Sequence, residues 1–481
     1  MASVANRLAA GALAVALTAV LVWFGTGMEP WWPLLWLAPL PVLLFAQQAS
    51  WWAAALAAAL AWQLGLLNLW HYMHGVLHIP ISIIANIFTI EIAIFTLAVL
   101  LFRALARRGG AIAAVVAFAA TRVAYEYLLD LVSPHGTAGS LAYSQIDFLP
   151  FLQLASVTGP WGMTFLVMLC PAALAIAWRL RGARPRALRT LAVSFGALAA
   201  VLVFGAVRLA ISSGPTVTVG LVASDPPTSP QIAPEGPPTA TLFDAYARAA
   251  ADLAARGAEA IVLPEKVGVL VDAQGSTVQD SDAKLQALAD RTHAVIVLGL
   301  VHVAAPGTSN EARVYVPGAP VQAYTKHHLI PWFEESKFIP GKTLLTLARP
   351  HATWGVAICK DMDFTPLSRA YGAASVGLML VPAWDFVLDR TAHGHMAILR
   401  GVESGFAIVR AAKQGYLTVS DNRGRIRAER TSDAAPFANL LTSVPESHTP
   451  TLYLWLGDWF AWLSVALLAG TLVHLVRLRR A

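Results

Sequence analysis

The chain has 481 residues, of which 57% are hydrophobic and only 13% charged, with 16 tryptophans and a mean hydropathy of +0.59. A charged share about half that of a soluble domain leaves more apolar surface than a water-facing fold can hide, so part of the chain must face lipid. The net charge of +6 comes with no basic cluster on a polar face, which excludes nucleic acid as a partner.

Apolar runs of bilayer-crossing length occur at roughly 7–27, 31–48, 51–70, 81–102, 111–132, 161–178, 190–211 and 452–476. The first reads as a retained span and not a cleaved signal peptide, because it is long, lacks a convincing cleavage site and is followed by further spans. The second carries Pro33, Pro39 and Pro41 and is expected to kink or to lie partly in the interface. With eight spans and an inside N-terminus, the inner segments hold Arg103, Arg107, Arg108, Arg179, Arg181, Arg184, Arg186, Arg189, Arg477, Arg479 and Arg480. The short outer loops at 28–30, 71–80 and 133–160 hold no lysine or arginine, and only Arg208 runs against the pattern. The positive-inside rule then places 212–450 on the outer side of the membrane, which in a bacterium is the periplasmic face. The expected division is 1–211 with seven transmembrane helices, 212–450 as the periplasmic domain, and 451–481 as a last transmembrane helix with a cytoplasmic tail.

Several polar residues inside the apolar half have two readings. His71, His74 and His78 have spacings that suit a metal, but interfacial histidines explain them better, and no metal is expected. Glu91, within a span, is either functional or a protonated or helix-paired acid. Glu126 and Asp130 either line a lipid entrance or are hydrated. Cys170 reads as packing, and because Cys359 falls in a solvent segment no disulfide joins the two.

The texture changes after 212. A strand-like run, Val217–Val222, precedes a proline-rich loop with Pro226, Pro227, Pro230, Pro234, Pro237 and Pro238. A helix at about 239–256 and a short strand at 260–263 follow. Further strands are expected at 294–303, 312–316, 353–359 and 376–381, with helices near 281–292, 365–374 and 391–406. Alternating helices and short apolar strands indicate an α/β domain with covered sheets.

Three reactive groups each follow an expected strand. Ile261-Val-Leu-Pro-Glu265-Lys266 ends in a carboxylate, whose desolvation between apolar walls would raise its proton affinity to that of a general base. Ala323-Tyr-Thr-Lys326-His-His-Leu-Ile-Pro331-Trp-Phe-Glu334-Glu335 carries an ammonium able to hold an oxyanion and to favour a neighbouring thiolate. Trp354-Gly-Val-Ala-Ile-Cys359-Lys-Asp-Met-Asp363 places a cysteine at a strand-to-helix turn, with Lys360 expected to favour its thiolate further. Taken singly, these are a loop acid, a surface lysine and a structural cysteine. In this order, spaced 61 and 33 residues apart, they resemble the carbon–nitrogen hydrolase (nitrilase) superfamily.

The whole chain is similar to the apolipoprotein N-acyltransferase family, the membrane-bound branch of that superfamily. Leu141-Ala-Tyr143-Ser144-Gln145-Ile-Asp147 with Gly159 resembles the family's Tyr-Ser-Gln segment. Glu334, Trp384, His393, Met396, Arg400, Glu403, Arg410 and Gly415 also fit its pattern. Lys360 and Asp361 depart from it, since an aromatic residue and a glutamate usually follow the cysteine. The loop Trp332–Gly341 and the run Ala383-Trp384-Asp385-Phe386 depart as well.

The resemblance implies a helical membrane bundle of about eight spans with an inserted αββα sandwich. It implies Glu265 as general base, Lys326 as transition-state stabiliser and Cys359 as nucleophile. Glu334, Asp361, Trp332, Trp384 and Tyr143 would bind substrate or support the site. The implied reaction moves an acyl chain from a membrane phospholipid, through a Cys359 thioester, to the N-terminal diacylglyceryl-cysteine of a lipoprotein, with no cofactor. A membrane-tethered amidase using the same residues, and a non-catalytic scaffold, are the alternatives.

Overall fold

The computed structural model describes residues 4–211, 214–225, 232–272 and 277–480. Pro226, Pro227 and Pro230 of the expected loop lie outside the described residues, as do the side chains of Arg479 and Arg480. The chain forms two compact units. One comprises Met1–Val132, Gly139–Ala210 and Trp455–Ala481, the other Ser133–Ala138 and Ile211–Leu454.

The first unit is helical. Among the described residues, seven of its helices are long and apolar enough to cross a membrane: Val4–Gly25, Trp51–Val76, Ile81–Arg107, Ala111–Asp130, Pro160–Arg179, Arg184–Ala210 and Trp459–Leu478. Six of these precede residue 211, where seven spans were expected, because the 31–48 run folds into two short helices, Trp32–Leu35 and Leu40–Gln48. A proline in the first turn of each, with Pro39 as the N-cap of the second, explains the break. Proline lacks the N–H that a continuing helix needs but is at home at a helix start.

One group of charges inside this unit is paired. Arg122 donates to Glu91 at 2.6 Å and to Glu126 at 2.8 Å. Glu126 also accepts from Ser140 at 2.8 Å, Thr164 at 2.9 Å and the Leu141 amide at 3.1 Å. Glu91 is therefore the helix-paired acid of the two readings, and Glu126 is a buried junction. Arg122, within a span, had not been singled out in the sequence. Cys170 is buried, and His74 packs its ring on Trp70.

The second unit is a two-sheet sandwich, with thirteen strands among the described residues. β1 (Thr216–Ala223), β2 (Ala260–Val262), β3 (Val269–Val271), β4 (Val295–Ala304), β5 (Gly307–Tyr315), β6 (Gln322–Thr325) and β13 (Ala438–Pro445) form one sheet. Its order is β13-β1-β2-β4-β5-β6, with β3 also on β4. β7 (Leu345–Ala348), β8 (Thr353–Val356), β9 (Val376–Trp384), β10 (Ala407–Lys413), β11 (Tyr416–Ser420) and β12 (Ile426–Thr431) form the other, in the order β12-β11-β10-β9-β8-β7.

Period-two alternation assigns the faces. Val217, Val219 and Leu221 of β1, Ala260 and Val262 of β2, and Val295 and Val297 of β4 point into one core with Val356, Leu378, Leu380 and Val409 of the facing sheet. The intervening Val222, Ile261, Ile296 and Leu298 pack outward with Phe243, Tyr246 and Leu253 of helix Pro237–Ala255 and Leu285 and Leu288 of helix Thr277–Thr292. On the other sheet, Tyr371 of helix Thr365–Ala373 donates to the Val356 carbonyl of β8 at 2.5 Å. Gly401 of helix Arg390–Ser404 sits against Ile408 of β10. The unit is thus an αββα nitrilase-type sandwich.

Candidate active site

Glu265 leaves β2 through Leu263-Pro264, and its amide donates to the Ala383 carbonyl of β9 at 3.2 Å, so one sheet's turn is held by the other's strand end. The turn also crowds β4. A Cβ on Gly299 would lie 2.5 Å from the Glu265 Cα, so only glycine admits it there. Lys326 follows β6, with its amide on the Asn310 carbonyl at 2.9 Å. Cys359 follows β8 and opens a short 3-10 turn, Cys359–Asp363, with φ at 44°. A left-handed non-glycine residue costs on the order of 1–3 kcal/mol, strain of the kind found at nucleophile turns.

The acid and the base meet directly. Lys326, with no exposed surface, donates to Glu265 Oε1 at 2.9 Å and to Glu334 Oε2 at 2.9 Å. Asn310 Nδ2 bridges the same two carboxylates at 2.7 and 3.1 Å. Lys266 reaches Glu334 at 2.5 Å and Glu265 at 3.6 Å. Two carboxylates and two ammoniums therefore share one buried cluster. This balance keeps the desolvated charges tolerable.

The thiol of Cys359 is 6% exposed, and its Sγ lies 3.5 Å from the Trp384 carbonyl. Burial pushes the thiol well above its ordinary range. Glu265 adds to that rise, while Lys326 and Arg410 oppose it. Burial also pushes Glu265 up, but the Lys326 and Lys266 ammoniums outweigh it and hold the carboxyl below the usual range. Lys326 loses proton affinity to burial and regains more from Glu265 and Glu334, so it stays charged. The resting site is a neutral thiol beside an ionised carboxylate and an ammonium. Both acid–base expectations are overturned, since Glu265 was to be raised and the thiol lowered. The clustered lysines act on the carboxylate first, and burial dominates the sulfur.

Lys360 is not directed at the thiol. Its Nζ donates to His135 Nδ1 at 3.2 Å and pairs with Asp363 at 3.4 Å. Burial first, and then the Lys360 charge, lower His135 to about 4, so the imidazole is a neutral acceptor. Asp361, fully buried, accepts from the amides of Ile358, His327 and His328 at 3.1, 3.1 and 2.9 Å and from the Tyr324 hydroxyl at 2.8 Å. It clasps the turn of Cys359 to the turn of Lys326. Trp384 ends β9 and donates its indole N–H to Gln414 at 2.8 Å. Asp385 and Arg410 form a buried two-bond pair at 2.5 and 2.9 Å. Trp332 is 64% exposed with φ at 62°, on the loop that carries Glu334. Tyr143 is buried in the short helix Leu141–Gln145 of the helical unit.

Asn310 and Lys413 belong to this site and had not been singled out. Asn310 lies in β5, which begins before the strand expected at 312–316, and Lys413 ends β10, where no strand was expected. For Lys413 the available signal was a charged side chain closing a mostly apolar run, whereas Asn310, flanked by Ser309 and Glu311, carried none.

Comparison with known proteins matches these two halves. Residues 18–174 match the apolipoprotein N-acyltransferase N-terminal domain, and residues 229–434 match the carbon–nitrogen hydrolase domain. The apolipoprotein N-acyltransferase of Geobacter metallireducens is 25% identical over 364 residues, covering 68% of this chain and 67% of the relative. That of Gloeobacter violaceus is 25% identical over 365 residues, covering 68% and 66%. Among solved structures, a double mutant of the amidase from Nesterenkonia sp. AN1 in complex with acrylamide aligns at TM-score 0.41 and 20% identity, over 49% of this chain and 93% of that one. Saccharomyces cerevisiae Nit3 aligns at 0.40 and 16%, over 50% and 93%. The chain belongs to the apolipoprotein N-acyltransferase family of the carbon–nitrogen hydrolase superfamily.

Proposed function

We propose that the protein transfers an acyl chain from a membrane phospholipid, by way of a Cys359 thioester, to the α-amine of a lipoprotein's diacylglyceryl-cysteine. The observation that carries the reading is the buried contact of Glu265 with Lys326 at 2.9 Å, in the same electrostatic field as the Cys359 thiol. Because the thiol is neutral and Glu265 ionised at rest, proton transfer accompanies attack. The sulfur–carbon bond forms at the ester carbonyl as the thiol proton passes to Glu265. Two N–H groups of Lys326 are held by Glu265 and Glu334, which leaves the third for the oxyanion, beside backbone N–H groups near residue 360. The carbon–oxygen bond then breaks, and the lysophospholipid leaves with the proton from Glu265. The acceptor amine attacks the thioester, forming the amide and releasing the thiol.

Both substrates reside in a bilayer, a physical reason for joining this site to seven apolar helices. By the arginine distribution we assign the catalytic unit to the periplasmic face of the inner membrane. Trp332 and Phe333, exposed on the loop of Glu334, fit contact with acyl chains. Mass spectrometry of lipoprotein N-termini in cells lacking the protein tests the reading. Loss of the N-acyl group supports it, whereas unchanged N-termini with accumulation of an uncleaved amide favour the amidase alternative.

A further inference from the structure

The turn that carries the nucleophile is gripped from a distant part of the chain. Residues Ser133–Ala138 stand in sequence between two helices of the helical unit, yet they fold with the catalytic unit. The Thr137 amide and hydroxyl both donate to the Asp363 carbonyl, at 3.3 and 3.0 Å. Gly136 permits this approach. Its φ is 54°, and a Cβ there would lie 2.6 Å from the same carbonyl oxygen. His135 completes the contact, with its Nδ1 3.2 Å from Lys360 Nζ. An ammonium only donates, so Nδ1 is the acceptor and the ring proton sits on Nε2.

One loop thus holds both ends of the turn Cys359–Asp363. Lys360 immediately follows the nucleophile, and Asp363 closes the turn. The two side chains are buried and pair with each other at 3.4 Å. Asp363 is shared, because His393 faces it at 3.8 Å, and His135 is the nearer partner of the Lys360 ammonium. On the other side, Asp361 fastens the turn to the amides of His327 and His328. The backbone held between these grips is the one that needs them, since Cys359 has φ at 44°. A non-glycine residue keeps that conformation only where its surroundings over-determine it.

We propose that the loop 133–138 is a positioning element for the nucleophile: His135, Gly136 and Thr137 hold Lys360 and Asp363, and through them the strained backbone that aims the Cys359 thiol at the acyl carbonyl. This inference rests on the acyl-transfer reading above. His135, Gly136 and Thr137 act through the turn, as positioning residues. Lys360 likewise acts on the shape of the turn and not by its charge on the sulfur. A misplacement of about 1 Å in a reacting group can cost on the order of 10²-fold in rate, so a loosened turn is read in the chemical step.

The test uses the full-length enzyme in lipid nanodiscs, with each variant taken from its monodisperse fraction. Loading is the mass increase of the protein on incubation with phosphatidylethanolamine. His135→Phe removes the acceptor, and Gly136→Val drives a side chain into the Asp363 carbonyl. Each is expected to lower the maximal loading rate by about tenfold or more, at an unchanged half-saturating lipid concentration. His135→Gln, whose amide oxygen can accept from Lys360, should recover most of the loss. Lys360→Met should load as poorly as His135→Phe while the pH at which Cys359 is alkylated stays that of the parent, and the double variant H135F/K360M should be little worse than either. Gly136→Val is the variant most exposed to misfolding, so His135→Phe with its Gln rescue decides the matter alone. Loading at the parent's rate in His135→Phe would show the loop to be only a cover. An upward shift of the Cys359 alkylation pH in Lys360→Met would show a charge acting on the sulfur. Either result overturns the proposal. If the parent enzyme never gains the acyl mass, the acyl-transfer reading itself fails, a result distinct from both.

Discussion

Two opposed charges act on one buried sulfur. Glu265 raises the proton affinity of Cys359 and Lys326 lowers it, on top of the larger effect of burial. Replacing either one moves the thiol in a known direction. Glu265→Gln should shift the pH at which Cys359 becomes alkylated by iodoacetamide downward, and Lys326→Met should shift it upward, while acyl transfer falls by about 10²- to 10⁴-fold in each. Identical alkylation profiles in the two variants would mean that neither charge reaches the sulfur. A second titration belongs to His393, which faces Asp389 at 3.1 Å and Asp363 at 3.8 Å. Burial lowers it, but the two carboxylates dominate and bring it up to about 10 from an ordinary 6.5. Its contribution to stability is complete below pH 6.5 and is lost as pH rises toward 10. Thermal unfolding of His393→Gln should therefore show a flatter decline over that window than the parent, with the two curves converging at its alkaline end.

Four strand ends bring the chemistry together, and hydrogen bonds to Asp361 hold two of them in register. The Asp361 carboxylate collects three backbone amides and a tyrosine hydroxyl within 2.8–3.1 Å, entirely out of solvent. Asp361→Ala leaves those donors buried and unmatched. An unmatched buried donor costs about 1–3 kcal/mol, so the variant should lose about 3 kcal/mol or more, whereas Asp361→Asn, retaining one acceptor oxygen, should lose less. Equal midpoints for the two variants in chemical unfolding would contradict the clasp. This element scale also marks how far local sequence reading extends. Glu265 and Cys359 were visible because each closes an apolar run, where strand periodicity stops, and Lys326 because it falls between them in the order of the superfamily. Asn310 and Lys413 were not, since their roles depend on which strands become neighbours, β5 beside β6 and β10 beside β9. The protonation states were misread for the same reason. The sign of the Glu265 shift is set by the Lys326 and Lys266 ammoniums gathered around it and that of Cys359 by burial, sums that no single segment contains.

Across the whole molecule, the long apolar runs and the helix–strand alternation after 212 foretold a membrane bundle and a covered α/β unit, because burial against lipid or a core is written in composition and period. Charge inside the bundle was harder to read, since Glu91, Arg122 and Glu126 lie on two helices, and only packing shows them to be one group. Arg122 holds both acids, with 7% of its side chain exposed against 15% and 5% for Glu91 and Glu126. Removing the cation alone leaves two carboxylates facing each other in an apolar bundle. Breaking a buried ion pair from one side costs about 3–5 kcal/mol, while replacing the whole group with neutral residues of similar size is often tolerated. Arg122→Met should therefore sharply reduce the yield of folded protein from membranes, and the triple variant E91Q/R122M/E126Q should recover it. Recovery also separates scaffold from chemistry. If the triple variant is abundant and monodisperse yet fails to load Cys359, the network serves the reaction as well as the fold. If it loads normally, the network is a lock on the helices, and the catalytic unit needs from them only a stable seat in the bilayer.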